Sequence, residues 1–179
     1  NNVEKIIQYY NDYTYYIGVI KADCYGHDGL ETVKAIIDGG CNYLAVATLD
    51  EALIVRDTFK NIPILCLGPV PSKHIDLCIS NNITITINSL EYLKELDKYD
   101  LSNIKVHIKL NTGMNRLGIS SIDELKTVIS ILNNKKVFIE GIYTHLYNAD
   151  NKDIYKKQLN TFKELIDSID INNIKIIHM

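Results

Sequence analysis

Tryptophan is absent from the 179 residues, and proline occurs three times and methionine twice. Of 19 basic side chains only Arg56 and Arg116 are arginines, the rest being lysines. Each arginine therefore asks what a planar five-donor fork does that an ammonium would not. The four cysteines, Cys24, Cys41, Cys66 and Cys78, form no C-x-x-C pair and no zinc-ribbon spacing. That excludes the dense disulfide framework of small secreted domains and fits a reducing cytosol. No stretch reaches the ~18 consecutive apolar residues of a membrane span, and Asn1-Asn2-Val3-Glu4-Lys5 does not open a signal peptide. A net charge of −3 without basic clusters gives no footprint for nucleic acid or an anionic membrane. The sequence also lacks a G-x-G-x-x-G turn and any Pro-, Gly- or Ser-rich linker or low-complexity tract.

What is present is a 46% hydrophobic, 23% charged chain, the profile of a packed globular domain. Apolar runs recur at Tyr15–Ile20, Tyr43–Ala47, Ile62–Leu67, Ile83–Ile87, Lys105–Leu110, Phe138–Thr144 and Ile174–Met179. They read as seven buried strands. Between them lie segments of helical spacing, such as Leu125, Val128, Ile129 and Leu132, or Leu159, Phe162, Leu165, Ile166 and Ile169. Four pairs have the spacing of a capping box: Asp28/Glu31, Thr48/Glu51, Asn88/Glu91 and Ser121/Glu124. Gly39-Gly40, Asn81-Asn82, Asn133-Asn134 and Asn172-Asn173 read as helix stops. Repeated strand-helix units predict parallel strands, in a doubly wound sheet or a (β/α)8 TIM-type barrel; seven units without a dinucleotide turn favour the barrel. The reading is a single domain over 1–179. The chain starts without Met and ends on the apolar run Ile176-Ile177-His178-Met179, like a strand cut short, so the termini look like domain boundaries.

In either architecture ligands bind at the carboxyl ends of strands. There the first strand delivers Lys21, whose amine, if desolvated, becomes a nucleophile for carbonyl groups and a Schiff-base candidate. A bland alternative makes Lys21 the first solvated residue after a strand. The fifth strand alternates His107, Lys109 and Asn111 on one face, and polar residues inside a barrel must pair with one another or with a ligand. Arg116 follows in the Gly-flanked loop Thr112-Gly113-Met114-Asn115-Arg116-Leu117-Gly118, placed for bidentate binding of an oxygen acceptor; Arg56, inside a helix, reads as surface. His145 ends the sixth strand and reads as a supporting residue. His27, His74 and His178 show no metal-ligand spacing, and a His107/His145 pair lacks a third ligand, so no metal is assigned. The cysteines read as small buried hydrophobes, with Cys24 partly reachable.

Two long motifs, in order, carry a resemblance. Val19-Ile20-Lys21-Ala22-Asp23-Cys24-Tyr25-Gly26-His27 resembles the pyridoxal-phosphate lysine motif of alanine racemases, and Val106–Gly118 resembles their second signature. Leu44-Ala45-Val46-Ala47, Ile64–Gly68 and Gly141–His145 agree with the same family. The resemblance implies a fold-type III barrel, with the eighth strand and a C-terminal β domain lying beyond Met179. It implies that Lys21 holds pyridoxal 5'-phosphate as a Schiff base and is the base for one face of the substrate α-carbon. Tyr25 would pack by the cofactor. Arg116 would donate to the cofactor's phenolic oxygen and approach the substrate carboxylate. Lys109 matches a lysine often carbamylated in the family, and His145 one that supports an Arg at the pyridine nitrogen. Cys24, Asp28, Asn111 and Leu146 depart from the usual pattern, and Asn111 touches the hydrogen bonding around Lys109.

The family reading further implies a cytoplasmic bacterial homodimer interconverting L- and D-alanine for cell-wall peptidoglycan, with the opposing Tyr base supplied by the partner subunit. It also implies that these residues alone bind the cofactor poorly and are inactive. Alternatives are a serine or broad-specificity racemase and a non-catalytic cofactor-binding module. A cofactor-free Schiff-base aldolase would explain Lys21 but not the Arg116 signature.

Overall fold

The computed structural model describes residues 2–179. The chain forms two compact units, one ending at Ile85 and one beginning at Thr86.

The first unit opens with helix α1 (Asn2–Tyr9) and strand β1 (Ile17–Val19), followed by α2 (Lys21–Gly26) and α3 (Gly29–Asp38). It continues with β2 (Tyr43–Val46), α4 (Leu49–Thr58), β3 (Ile64–Cys66), α5 (Ile75–Ser80) and the start of β4 (Ile83–Ile87). β1 pairs in parallel with β2, β2 with β3, and β3 with β4. Every residue of β2, β3 and β4 is buried; β2 and β3 are the continuous apolar runs of parallel strands covered on both faces, while β4 alternates Ile with Thr84 and Thr86.

The second unit holds α6 (Leu90–Glu95), β5 (Lys105–Lys109), α7 (Ile122–Asn134), β6 (Phe138–Tyr143), α8 (Lys152–Asp167) and β7 (Ile176–His178). β5 pairs in parallel with β6, and β6 with β7. Leu125, Val128 and Leu132 of α7 and Phe162, Leu165 and Ile166 of α8 are buried, so the predicted periodicity marks the faces that pack.

All seven predicted strands form; Ile83–Ile87 is unchanged and the others lose at most two residues at either end. Within each unit pairing order follows chain order without the reversal of a doubly wound sheet. The winding is that of a (β/α)8 barrel, with seven of its units present.

The caps are less regular than their spacing predicts. Thr48/Glu51 is a complete capping box. Ser121 accepts from the Glu124 amide, while the Glu124 carboxylate accepts from Leu90 N–H. α6 is capped by Ser89 instead of Asn88. Asp28 has φ 58° and makes no side-chain cap. Gly39-Gly40 and Asn81-Asn82 do follow helices, whereas Asn133-Asn134 lie inside the last turn of α7 and the left-handed residue is Lys136 at φ 57°. Asn172-Asn173 fall in the turn beyond α8.

Arg56 is the clearest departure, since it is buried. Its guanidinium donates from Nε to the Asn81 carbonyl, from Nη1 to those of Phe59, Lys60 and Ile62, and from Nη2 to that of Asn82. These carbonyls lie beyond the ends of α4 and α5, where helices leave acceptors without partners. One planar fork satisfies five acceptors, which an ammonium could not do.

Candidate active site

The first unit presents Lys21 just past the end of β1, half-buried. The segment after it is helical in its hydrogen bonding but left-handed. Ala22, Asp23, Cys24 and Tyr25 have φ of 51°, 52°, 53° and 58°. Left-handed helical backbone costs an L-residue roughly 1–2 kcal/mol, so non-glycine residues visit it singly. Four in succession form a strained turn that the surroundings must impose, and such strain gathers at functional sites. Glu51 supplies part of the restraint. Its Oε1 accepts from Ala22 N–H at 2.8 Å, while its Oε2 accepts from Ala47 N–H at 2.7 Å and Thr48 N–H at 3.2 Å. The capping glutamate thus ties the Lys21 turn to the end of β2.

Cys24 is buried within this turn and contacts the Gly29 carbonyl at 3.5 Å. Burial, then the charge of Asp23, pushes its thiol above the usual range. Burial likewise pushes Cys66 to about 12 and Cys78 to about 11, so these thiols stay protonated and act as apolar filling. The Lys21 ammonium lies 5.9 Å from the exposed Tyr25 ring, and no carboxylate among the described residues pairs with it.

The second unit presents a polar interior. His107 and Lys109 on β5 are 0% and 5% exposed. Burial, then the charge of Arg116, lowers the Lys109 amine to about 8. Its Nζ sits 4.5 Å over the Tyr143 ring, and among the described residues it has no anionic partner. Asn111, predicted on the same face, lies beyond β5. There its Oδ1 accepts from Gly113 and Asn115 N–H and its Nδ2 donates to Asn115 Oδ1 and Ser120 Oγ. Its amide therefore organises the loop that carries exposed Arg116 and does not reach Lys109.

That loop closes on the strand through Asn111 N–H to the Ile119 carbonyl and Ile119 N–H to the Lys109 carbonyl. Gly118, at φ 120°, permits the closure, because a Cβ there would stand 2.8 Å from the Asn111 nitrogen and the Leu110 carbonyl carbon. His145 follows β6, with its side chain exposed.

Two supporting residues escape the sequence reading. Gln158, buried on α8, donates to Thr112 Oγ1 at 3.2 Å and the His145 carbonyl at 3.4 Å, and accepts from Tyr147 N–H at 3.2 Å. It straps the loops after β5 and β6 together. Its signal was a polar residue beside an apolar helical stripe. His178 on β7 is the other, contacting His107 at 2.9 Å. Among the described residues no three His, Cys, Asp or Glu are arranged to hold a metal ion, and no helix is long and apolar enough to cross a membrane.

Each unit offers a donor of its own: a primary amine suits a carbonyl group, and a guanidinium suits an oxygen acceptor. Lys21 and Arg116 present cationic groups without anionic partners at or beyond strand ends, and the primary amine of Lys21 opens a turn held in a strained form.

The chain is similar to known proteins over its whole length. Residues 1–179 match the family model described as the N-terminal domain of alanine racemase. Alanine racemase 1 of Bacillus subtilis is 35% identical over 179 residues, covering 98% of this chain and 46% of that protein. The alanine racemase of Streptococcus equi subsp. zooepidemicus is 36% identical over 176 residues, covering 94% of this chain and 47% of its own length. The crystal structure of alanine racemase from E. faecalis superposes with a TM-score of 0.92 at 32% identity, covering 99% of this chain and 49% of that one. A histidine racemase from Leuconostoc mesenteroides superposes with a TM-score of 0.89 at 26% identity, covering 99% of this chain and 49% of that one. The chain spans about half the length of the curated relatives it matches. By its motifs, its winding and this match over its whole length, the chain belongs to the alanine racemase N-terminal domain family.

Proposed function

We propose that this chain is the cofactor-holding part of a pyridoxal 5'-phosphate-dependent racemase that interconverts L- and D-alanine. The observation that carries the reading is Lys21, a primary amine opening a strained left-handed turn at the end of a parallel strand, inside a chain of this family. When bound, the cofactor supplies a conjugated ring that takes up the negative charge left by loss of the α-proton.

The chain's own residues have simpler tasks. Lys21 Nζ would hold the cofactor covalently and would take or return the α-proton on one face of the substrate. Glu51 keeps that amine in place by fixing the first peptide of the turn. Tyr25 would pack beside the cofactor, Arg116 would donate to its phenolic oxygen and approach the substrate carboxylate, and His145 would support an Arg at the pyridine nitrogen. Lys109, lowered to about 8, has an appreciable neutral fraction near neutral pH. Its neutral amine adds to carbon dioxide, forming a C–N bond and releasing a proton; the resulting carbamate anion pairs with Arg116 where an ammonium would repel it.

The whole protein is a cytoplasmic homodimer in this reading, and its D-alanine serves peptidoglycan synthesis. A racemase acting on another amino acid, such as serine, is the second reading, supported by the likeness to a histidine racemase structure. In the full-length protein, purified with cofactor, alanine racemisation and the Schiff-base absorbance band should both vanish in Lys21→Ala. Retention of the band would overturn the assignment of Lys21, and competition between alanine and other amino acids for turnover decides the substrate.

A further inference from the structure

The buried His107 ring lies between two partners in the second unit. Its Nε2 is 3.4 Å from Glu140 Oε2, and its Nδ1 is 2.9 Å from His178 Nε2. Two irregularities in β6 create the arrangement. The register against β5 shifts between Val106 and His107, so that Val106 pairs with Ile139 but His107 with Gly141, leaving Glu140 as the extra residue. A bulge of this kind re-aims a side chain, here the Glu140 carboxylate toward His107. Gly141 then clears the room, since a Cβ there would stand 2.7 Å from Cε1 and Nδ1 of the His107 ring.

The direction of the hydrogen bonds follows from chemistry. A carboxylate only accepts, so His107 Nε2 carries the proton. In the neutral ring Nδ1 is then a bare acceptor, and the hydrogen between the histidines belongs to His178 Nε2. That leaves His178 Nδ1 as a lone pair. Among the described residues it has no hydrogen-bond partner, and no buried side-chain nitrogen there lacks one, so Nδ1 is open to solvent. The His178 ring stacks on Tyr143 with centroids 4.6 Å apart and planes 9° apart, which fixes its orientation. Burial, followed by the charges of His107 and Lys109, holds His178 down to about 3, so it stays neutral at working pH.

We infer that Glu140 and His107 are positioning residues that lock His178 as its Nε2–H tautomer, so that Nδ1 offers a fixed acceptor at the carboxyl end of β7. Groups held there are hydrogen-bond donors, such as a guanidinium or an amide N–H. Carboxylate and phosphate oxygens, which only accept, are refused. The tautomer belongs to the chain's own residues and stands whether or not the racemase reading does.

The test is nitrogen NMR on the full-length protein labelled with 15N at histidine, in which bare and protonated ring nitrogens are well separated. The two rings are assigned from His107→Asn and His178→Asn. The inference expects a protonated Nε2 and a bare Nδ1 on both rings. It also expects Glu140→Gln, whose amide oxygen still accepts, to retain the pattern, and folded Glu140→Leu to lose it. A protonated Nδ1 on His178 in the unsubstituted protein would overturn the inference, as would an unchanged pattern in folded Glu140→Leu. Should Glu140→Leu fail to fold, the unsubstituted protein alone decides the tautomer, and Gly141→Ala, which crowds the His107 ring, tests the relay by shifting the His178 nitrogens.

Discussion

The two units use parallel strands for different ends. In the first, the interiors of β2 and β3 are apolar: Tyr43-Leu44-Ala45-Val46 and Ile64-Leu65-Cys66 are buried, and the Tyr43 hydroxyl donates to Thr84 at 3.0 Å. The residue proposed to be reactive, Lys21, stands in a turn beyond β1 whose backbone is strained. In the second, chemistry enters the interior itself. Thr86, His107, Lys109, Thr112, Tyr143, Thr144 and Gln158 are all buried and polar or aromatic; Thr86 pairs with Tyr143, Thr112 with Thr144 and Gln158, and His107 with Glu140 and His178. In the proposed reading the nucleophile is positioned by an imposed backbone conformation, whereas the orienting groups are positioned by a polar network, which is costly wherever a member lacks its partner.

Breaking the apolar interior should have the largest effect. Leu44→Ala removes a fully buried side chain from the middle of β2 and should cost about 2–5 kcal/mol, read as a lower denaturation midpoint with an unchanged slope.

The polar interior should respond in the opposite sense. Lys109 is held near 8, below its ordinary 10.5, so folding carries a cation at a penalty present in full below pH 8. Between pH 8 and 10.5 the unfolded chain binds more protons than the folded one, and stability rises with pH. In buffer stripped of carbon dioxide, Lys109→Met should therefore be the more stable form at pH 7, by about 3 kcal/mol, with the gap closing toward pH 10.5. Bicarbonate should narrow the gap by converting the lysine to its carbamate. A gap independent of both pH and bicarbonate would mean that Lys109 is paired.

The smallest effect on stability should come from Glu51→Gln, about 1 kcal/mol for weakening a cap. Its larger signature should be local, with faster hydrogen exchange at Ala22 and slower attachment of cofactor to Lys21. If exchange at Ala22 is unchanged, Glu51 does not restrain the turn.

Much of this contrast was legible in the sequence. Strand number and winding follow from apolar runs and helical spacing, which report burial directly. Lys21, Lys109 and Arg116 stood out because charged residues at strand ends or inside strands demand a reason. What escaped depended on contacts distant in sequence. Arg56 looked like a surface residue because its acceptors are backbone carbonyls, which no side-chain pattern displays. Asn111 fell on the inward face by period two, but the strand ends before it, and closure onto Ile119 turns its amide into the loop. The His107–Glu140–His178 trio spans 71 residues and rests on a one-residue bulge, invisible to any periodicity. The left-handed turn contradicts the preferences of the residues that form it, so propensity could only have missed it.

The central claim is that, of 17 lysines in this chain, Lys21 is the one built to hold a carbonyl-bearing cofactor. It is tested most directly by incubating the full-length protein with pyridoxal phosphate, reducing with borohydride and mapping the modified peptide by mass spectrometry. The account predicts a stoichiometric phosphopyridoxyl group on Lys21. Labelling scattered over surface lysines, or directed to Lys109 with Lys21 untouched, would contradict it.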